Sequence, residues 1–170
     1  VRSRKGRGGQ LRDGAFAAKQ EWLLFLHADT CLSGDWANAL VSFSGQVRFR
    51  QVAGVFSFGL DDDDLRARLL EHLVALRVRL LALPYGDQGL FISRALYDEI
   101  GGFSDIPLME DVDIVRRIGR RRLRVLPASV VTSAEKYRHN GYLFRSARNL
   151  ICLGLYFLGV SPAKIVKMYD

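Results

Sequence analysis

The hydrophobic positions fall into short runs that predict strands separated by helices. The apolar run at residues 22–26 stops at His27, Asp29 and Thr30, which is typical of a buried strand, and we expect this strand in a parallel sheet. Alternating apolar residues predict one or two strands within residues 48–60. Further short strands are predicted at residues 90–92, 123–126 and 130–132.

Helices are predicted where apolar residues recur every three or four positions. The longest covers residues 65–83, where leucines at 65, 69, 73, 76, 80 and 83 form one stripe, and residues 61–64 supply an acidic first turn. Ser93 is predicted to cap a helix over residues 94–100, and a second helix begins at Glu110. Other helices are predicted at residues 10–19 (after a loop with glycines at 6, 8 and 9), at residues 34–43, and in a C-terminal helical segment over residues 138–170.

The composition indicates one domain with an anionic partner. The chain has 170 residues, 49% hydrophobic content and a net charge of +7, which favours nucleic acid, a phosphorylated small molecule or an anionic membrane without choosing among them. Cys31 and Cys152 form no CxxC pair, so we expect a reduced, cytoplasmic setting, with one disulfide as the alternative. The apolar stretch at 142–160 falls short of a spanning helix and suits core packing, an oligomer contact or a lipid interface.

Acidic residues stand at three points where the predicted elements begin or end. Asp29 follows a strand, Asp87 with Gln88 precedes another, and Glu110 with Asp111 opens a helix. Carboxylates in a basic chain suit a metal–diphosphate ligand, because the metal bridges carboxylate and phosphate while arginine or lysine takes the remaining charge. The structural alternatives are a helix cap for Asp29 and dipole partners for the Glu110–Asp111 pair.

At these residues the sequence resembles family-2 glycosyltransferases of the GT-A fold. The motifs are those of a bacterial subgroup, and here they comprise Gly6-Arg7 with Gln10, Phe25 to Thr30, Gly86 to Gln88, Glu110 to Asp113, and Leu158 to Val160 with Pro162. The resemblance implies an α/β fold, with three α/β/α layers around a mixed, mostly parallel sheet. It also implies a single, N-terminally truncated catalytic domain over residues 1–170, because the two strands that carry the family's nucleotide pocket have no counterpart in this sequence.

The resemblance also implies a role for each motif residue. Asp29 would hold Mg²⁺ or Mn²⁺ with His27, which stands where the family has the first Asp of a D-x-D motif. Asp111 would be the general base, supported by Glu110. The residues implied on the donor side are Arg7, Gln10, His27, Asp29, Arg138 and His139, and those on the acceptor side are Asp87 and Gln88.

The function implied is metal-dependent, inverting transfer of a sugar from a nucleotide-diphosphate donor to an acceptor hydroxyl. The resemblance does not identify the acceptor. One of the candidates is a lipid-linked acceptor at the inner face of the membrane. One alternative is a truncated, non-catalytic binding module of the same fold. A nucleic-acid-binding domain is the second alternative, and it is disfavoured because aromatic residues are not interleaved with the basic runs.

Overall fold

A computed structural model describes residue 3 and residues 6–169, apart from the side chains of residues 47, 140 and 169. The predicted domain and C-terminal segment also include residues 1, 2, 4, 5 and 170, which lie outside the described residues. The elements in chain order are α1 (Arg7–Ala17), β1 (Trp22–Phe25), β2 (Thr30–Ser33), α2 (Trp36–Ser44), β3 (Ala53–Leu60), α3 (Leu65–Leu81), β4 (Leu90–Ser93), α4 (Arg94–Glu99), α5 (Glu110–Ile118), β5 (Leu123–Thr132), α6 (Glu135–Asn140), α7 (Tyr142–Phe157) and α8 (Pro162–Tyr169).

The five strands form one mixed sheet in the order β1-β4-β3-β5-β2, so the α/β class is confirmed. Among the described residues only β3 and β5 pair in parallel, and the other three pairs are antiparallel. The predictions of a mostly parallel sheet and of a parallel setting for β1 are therefore wrong. The residues of β1 are apolar because helices cover both faces of the sheet at this strand. Helices can cover an antiparallel sheet in this way as well as a parallel one.

Neighbouring residues of one strand face two separate cores. Val55 of β3 packs in the larger core with Leu23, Ile92 and residues of α4 and α5, whereas Phe56 packs with Phe43 of α2 on the other face. Helices therefore cover both faces of the sheet, since successive strand residues point to opposite sides.

Two strand predictions need correction. Residues 47–49 form a short 3₁₀ turn instead of a strand, so the predicted stretch 48–60 contains only β3. Residues 123–132 form one continuous strand where two were predicted. The pairing of β5 with β3 shifts in register between the Val55 and Ser57 pairings, and Pro127 lies at this shift. Proline has no N–H to donate to the neighbouring strand, so it is tolerated where the pairing is irregular.

The first helix begins three residues before its predicted start and includes two of the glycines assigned to a loop. Gly8 and Gly9 lie inside α1 and are buried. A Cβ at Gly8 would collide with the backbone carbonyl of Ser104, so the glycine lets α1 pack directly on that loop. The Gly8 N–H also donates to the Ile106 carbonyl at 3.3 Å, which is a second contact between α1 and this loop.

The acidic stretch before α3 acts as a cap and a tether. Asp64 precedes the helix and accepts from the Arg66 N–H at 2.7 Å. Residues 61–64 all lie before α3, so the prediction that they form its first turn is wrong. Hydrogen bonding to Arg66 lowers the pKa of Asp64 to about 2. Asp62 accepts from the Tyr142 hydroxyl at 2.7 Å and so joins this stretch to α7.

The C-terminal helical segment starts at Glu135, three residues before its predicted start, and contains α6, α7 and α8. Cys31 and Cys152 are free thiols, so the alternative of a disulfide is excluded. Within the part of the chain that the structure describes, no helix has the length and apolar character needed to cross a membrane.

Candidate functional site

The sheet brings three loops to one of its ends. Phe25, the last residue of β1, pairs with Leu90, the first residue of β4, so the turn after β1 and the turn before β4 are neighbours. Thr30 pairs with Thr132 at the end of β5, which places the loop into α6 at the same end. This arrangement follows from antiparallel pairing and could not be deduced from any one of the motifs alone.

His27 and Asp29 lie in a tight turn between β1 and β2. The turn is closed by the Thr30 N–H donating to the His27 carbonyl, and the Ser133 N–H donates to the Asp29 carbonyl at 3.2 Å. The imidazole of His27 packs directly on Gly86, where any Cβ would overlap the ring. The residues after Asp29 continue into β2, so Asp29 does not cap α2. Its side chain instead lines a cleft at this end of the sheet.

Asp111 is fixed at the start of α5 by two backbone donors. Its Oδ2 accepts from the Gly86 N–H at 2.7 Å, and its Oδ1 accepts from the Val112 N–H at 2.7 Å. Met109, directly before the helix, has a φ of 65°, a left-handed conformation that is uncommon for a residue other than glycine. Such backbone strain is concentrated at functional sites and accompanies the positioning of this carboxylate.

One cleft contains both of the aspartates on which the sequence prediction depends. Asp29 and Asp111 line it together, beside Tyr85 and Gly86, around a volume of about 110 Å³. The other acidic, basic and histidine side chains on its wall are Arg7, His27, Asp87, Lys136 and Arg145. The cleft therefore combines three carboxylates with three permanent cations, a set suited to a metal–diphosphate ligand.

The Asp29 carboxylate forms an ion pair with Lys136, with Oδ2 and Nζ 2.9 Å apart. Burial acts to raise the pKa of Asp29, but the hydrogen bond and charge of Lys136 outweigh it, and the pKa is lower than ordinary. Burial lowers the pKa of His27, although Asp111 opposes this shift. At neutral pH the wall therefore presents an anionic Asp29 and a neutral imidazole, which are the protonation states needed for metal ligation.

Behind the cleft, a set of polar atoms is buried without partners. Arg77 of α3 stacks on the Tyr85 ring, with its guanidinium carbon 3.5 Å from the ring centroid. Arg77 Nη2, the Tyr85 hydroxyl and Asp87 Oδ1 are buried, and none has a hydrogen-bond partner among the described residues. Burial raises the pKa of Asp87 to about 6, against the opposing charge of Arg77.

Glu110 is the most deeply buried acidic side chain of the site. It is 1% exposed, and neither carboxylate oxygen has a hydrogen-bond partner in the described part of the chain. Burial, followed by the charge of Asp111, raises the pKa of Glu110 to about 7. Glu110 therefore lies behind Asp111 and not on the cleft wall.

A scan against models of protein families finds no match for this chain, and a search of curated proteins finds none either. The assignment of a function therefore depends on the site's own geometry and on the motif resemblance.

The remaining predicted site residues lie outside the wall of the cleft. Gln88 is buried, and its amide nitrogen donates to the Phe56 carbonyl at 3.0 Å, so it holds the turn before β4 in place. Arg138 forms ion pairs with Asp61 and Asp62 at 3.7 and 3.6 Å, away from the cleft. Gln10 and His139 are exposed and are not part of the cleft wall.

Two cations on the wall were not assigned from the sequence. Lys136 and Arg145 stand in the basic cluster before and within α7, but the motif pattern directed attention to Arg138 and His139 instead. The Arg145 Nε is buried and lacks a hydrogen-bond partner among the described residues. The rotation of α6 and α7 against the sheet decides which of their basic residues face the cleft, and the sequence alone does not determine that rotation.

The residues present fit a divalent cation that binds together with a phosphate ligand. No group of three His, Cys, Asp or Glu side chains within residues 6–169 is arranged to hold a metal by itself. A cation bound by one or two carboxylates and by substrate phosphates needs no such group, because phosphate oxygens and water complete the shell. Asp29 is the exposed carboxylate that could bind such a cation, and the neutral His27 is its neighbour.

Proposed function

We propose that this chain carries the catalytic site of a metal-dependent, inverting glycosyltransferase of the GT-A type. It would move a sugar from a nucleotide-diphosphate donor to an acceptor hydroxyl. The observation that supports this most is that Asp29 and Asp111, far apart in sequence, line one cleft beside three cations. A mixed sheet with helices on both faces is compatible with that fold.

Asp29 is the residue proposed to hold Mg²⁺ or Mn²⁺, with His27 beside it. When bound, the cation would offset negative charge on the departing diphosphate. Arg7, Lys136 and Arg145 supply further positive charge on the same wall. The Nε–H of Arg145, which has no hydrogen-bond partner within the described part of the chain, is a donor suited to a phosphate oxygen.

Asp111 is the proposed general base. Its two backbone hydrogen bonds fix the carboxylate, and the remaining lone pairs are free to accept a proton from the acceptor hydroxyl. That oxygen bonds to the anomeric carbon as the bond from this carbon to the diphosphate oxygen breaks, and the diphosphate leaves with the bonding electrons. Attack opposite the leaving group inverts the configuration at the anomeric carbon.

Asp87 lines the cleft, and a hydroxyl group of the sugar acceptor would donate a hydrogen bond to its carboxylate. Arg77 is not on the cleft wall, so we assign it to positioning Tyr85, on whose ring it stacks. Glu110 does not touch the cleft, so we assign it to positioning and to the electrostatics of Asp111, not to contact with substrate.

The second candidate is a non-catalytic binding module with the same cleft. The observation in its favour is the ion pair between Asp29 and Lys136, which occupies the proposed metal ligand with a cation of the chain itself. Such a module would bind nucleotide diphosphates without turning over their sugar conjugates.

Release of UDP or GDP from a panel of nucleotide sugars, measured with Mn²⁺ present, separates the two candidates. We expect slow hydrolytic release by the unmodified chain and loss of it in Asp111→Asn, with UDP binding preserved. Asp63→Asn is the matched control, because the Asp63 side chain is fully exposed and not on the cleft wall. UDP binding without any release from a donor in the panel would favour the binding module and contradict the catalytic proposal.

A further inference from the structure

A second cavity lies between α3 and the sheet. It has a volume of about 410 Å³ and shares no lining residue with the cleft that contains Asp29 and Asp111. Residues of α3, of strands β3 and β5 and of the turn before β4 form its wall, and we call it the α3 cavity. A volume of this size falls within the range of about 300–1,000 Å³ that is typical of small-molecule sites. Its wall includes Phe58, Val78, Arg79, Gln88, Arg120 and Arg124.

The wall of the α3 cavity is cationic. Of the described residues that form it, three are arginines, Arg79, Arg120 and Arg124, and none is acidic. Within the described part of the chain, none of these three arginines forms an ion pair. They differ in this respect from Arg68 and Arg138, which pair with aspartate or glutamate side chains. The charge of the α3 cavity is therefore available to an anion from outside the chain.

Backbone carbonyls hold two of these guanidinium groups in place. Arg120 donates to the Leu80 carbonyl at 2.6 Å and to the Arg79 carbonyl at 3.2 Å, at the C-terminal end of α3. Arg124 Nη1 donates to two carbonyls of its own segment at 3.0 and 2.8 Å. A guanidinium group has five N–H donors, so both side chains retain donors for a ligand. The Arg79 side chain has no hydrogen-bond partner among the described residues, so it can turn all of its donors to a ligand.

Gln88 adds a buried acceptor to the same wall. Its side chain is 2% exposed, and its amide nitrogen donates to the Phe56 carbonyl at 3.0 Å. Its Oε1 has no hydrogen-bond partner in the part of the chain that the structure describes. Buried amide oxygens normally accept a hydrogen bond. Because Gln88 lines the α3 cavity, a ligand there is in position to supply the missing donor.

Apolar side chains complete the α3 cavity. Phe58, Val78, Leu123 and Val125 belong to its wall, and Val78 and Leu123 are buried. A ring compound can pack on such side chains, because the contact removes apolar surface from water. The wall thus offers three contacts to one ligand: cations for an anionic group, an amide oxygen for a hydrogen-bond donor, and apolar surface for a ring.

We propose that the α3 cavity binds a phosphate monoester whose ring carries a hydrogen-bond donor, such as a nucleoside monophosphate or a sugar phosphate. A phosphate monoester has up to two negative charges and three acceptor oxygens, which suits several arginines better than a carboxylate does. The ring packs on the apolar side chains, and its N–H or O–H donates to Gln88 Oε1. The proposal concerns a second site and does not depend on sugar transfer in the cleft.

Calorimetric titration of AMP, UMP, glucose 6-phosphate and inorganic phosphate tests the proposal. Divalent cations are left out of the buffer, so that metal-dependent binding in the cleft does not contribute. We expect at least one of the three esters to bind with a Kd below about 1 mM and at least about tenfold more tightly than inorganic phosphate. Arg79→Gln should weaken this binding about tenfold, because it removes a charged donor that makes no hydrogen bond within the described protein.

Matched controls locate the site. Arg121→Gln removes the same charge from an exposed residue that is next to Arg120 in sequence but not on the wall of the α3 cavity, and it should leave affinity unchanged. Lys136→Gln removes a cation from the cleft and should also leave affinity unchanged. Ala75→Phe places a large side chain at an exposed wall position of α3 and should abolish binding. Circular dichroism checks that each variant is folded.

Four results would overturn the proposal. They are absence of binding by all three esters, binding no tighter than that of inorganic phosphate, an equal loss in Arg121→Gln and Arg79→Gln, and full affinity in a folded Ala75→Phe variant. Binding that Lys136→Gln weakens and Arg79→Gln does not would instead assign the phosphate ester to the cleft.

Discussion

Replacing Glu110 with glutamine should stabilise the protein above neutral pH and have little effect in mild acid. The Glu110 carboxyl is buried and has no hydrogen-bond partner among the residues that the structure describes, and burial raises its pKa from 4.5 to about 7. Between these values the folded chain keeps a proton that the unfolded chain has lost, so stability falls as pH rises through the window. A shift of this size, at about 1.4 kcal/mol for each pKa unit, corresponds to about 3 kcal/mol.

The assay is urea unfolding followed by circular dichroism at pH 5, 6, 7 and 8. Glu110→Gln should be about 3 kcal/mol more stable than the unmodified chain at pH 8, and the difference should shrink towards pH 5. In thermal scans the same difference corresponds to about 6–12 °C for a chain of this length. Glu21→Gln, at an exposed position before β1, is the matched control and should show no pH-dependent difference.

A difference between Glu110→Gln and the unmodified chain that stays constant from pH 5 to pH 8 would refute this reasoning. So would a variant that is less stable at pH 8, because it would mean that the charged carboxylate is stabilised by donors in the folded state.

Two further predictions concern packing and the ion pair of the cleft. Gly8→Ala should destabilise the protein, because the new Cβ would collide with the Ser104 carbonyl, whereas Gly14 in the same helix has open space around it. Gly14→Ala should therefore raise the free energy of unfolding by up to about 1 kcal/mol. Urea midpoints measure both variants, and equal effects would contradict the close approach of Gly8 to Ser104. Lys136→Gln should tighten Mn²⁺ binding two- to fivefold or so in the absence of nucleotide, because it frees the Asp29 carboxylate, and an unchanged electron paramagnetic resonance titration would contradict this.

The elements that the sequence predicts well are those with a local cause. Helix α5 has Val112, Ile114, Val115 and Ile118 on its buried side, and Ser93 caps α4 by accepting from the Leu96 N–H at 3.1 Å. These features depend on neighbouring residues only, so pattern and capping chemistry are sufficient.

The elements that the sequence does not predict depend on distant partners. Strand β2 has the residues Thr-Cys-Leu-Ser, which suggest a cap or a loop. It exists because it pairs with β5, with Thr30 and its partner Thr132 separated by 102 residues in sequence. The leucines of α3 predict a helix correctly, yet their periodicity does not reveal which of two apolar faces is buried. Burial of the face with Ala67 and Val78 follows from close packing against the sheet, which small side chains allow.

The residues of the candidate site also divide into those that the sequence predicts and those that it does not. Asp29, Asp87 and Asp111 line the cleft together, as expected if their motifs meet at one end of the sheet. The cations opposite them, Lys136 and Arg145, depend on how α6 and α7 are rotated against the sheet. Local pattern carries no information about that rotation.

The central claim is that Asp29 holds the cation of a bound metal–diphosphate ligand, whereas Asp111 acts as the base on the acceptor hydroxyl in the same cleft. Calorimetric titration of UDP with Mn²⁺ into the unmodified chain and into Asp29→Asn, Asp111→Asn and Asp63→Asn tests it most directly. The account predicts Mn²⁺-dependent binding to the unmodified chain, Asp111→Asn and Asp63→Asn, and affinity at least about tenfold weaker for Asp29→Asn, a loss of about 1.4 kcal/mol or more. UDP binding that does not depend on Mn²⁺, or that is as tight in Asp29→Asn as in the unmodified chain, would contradict this claim.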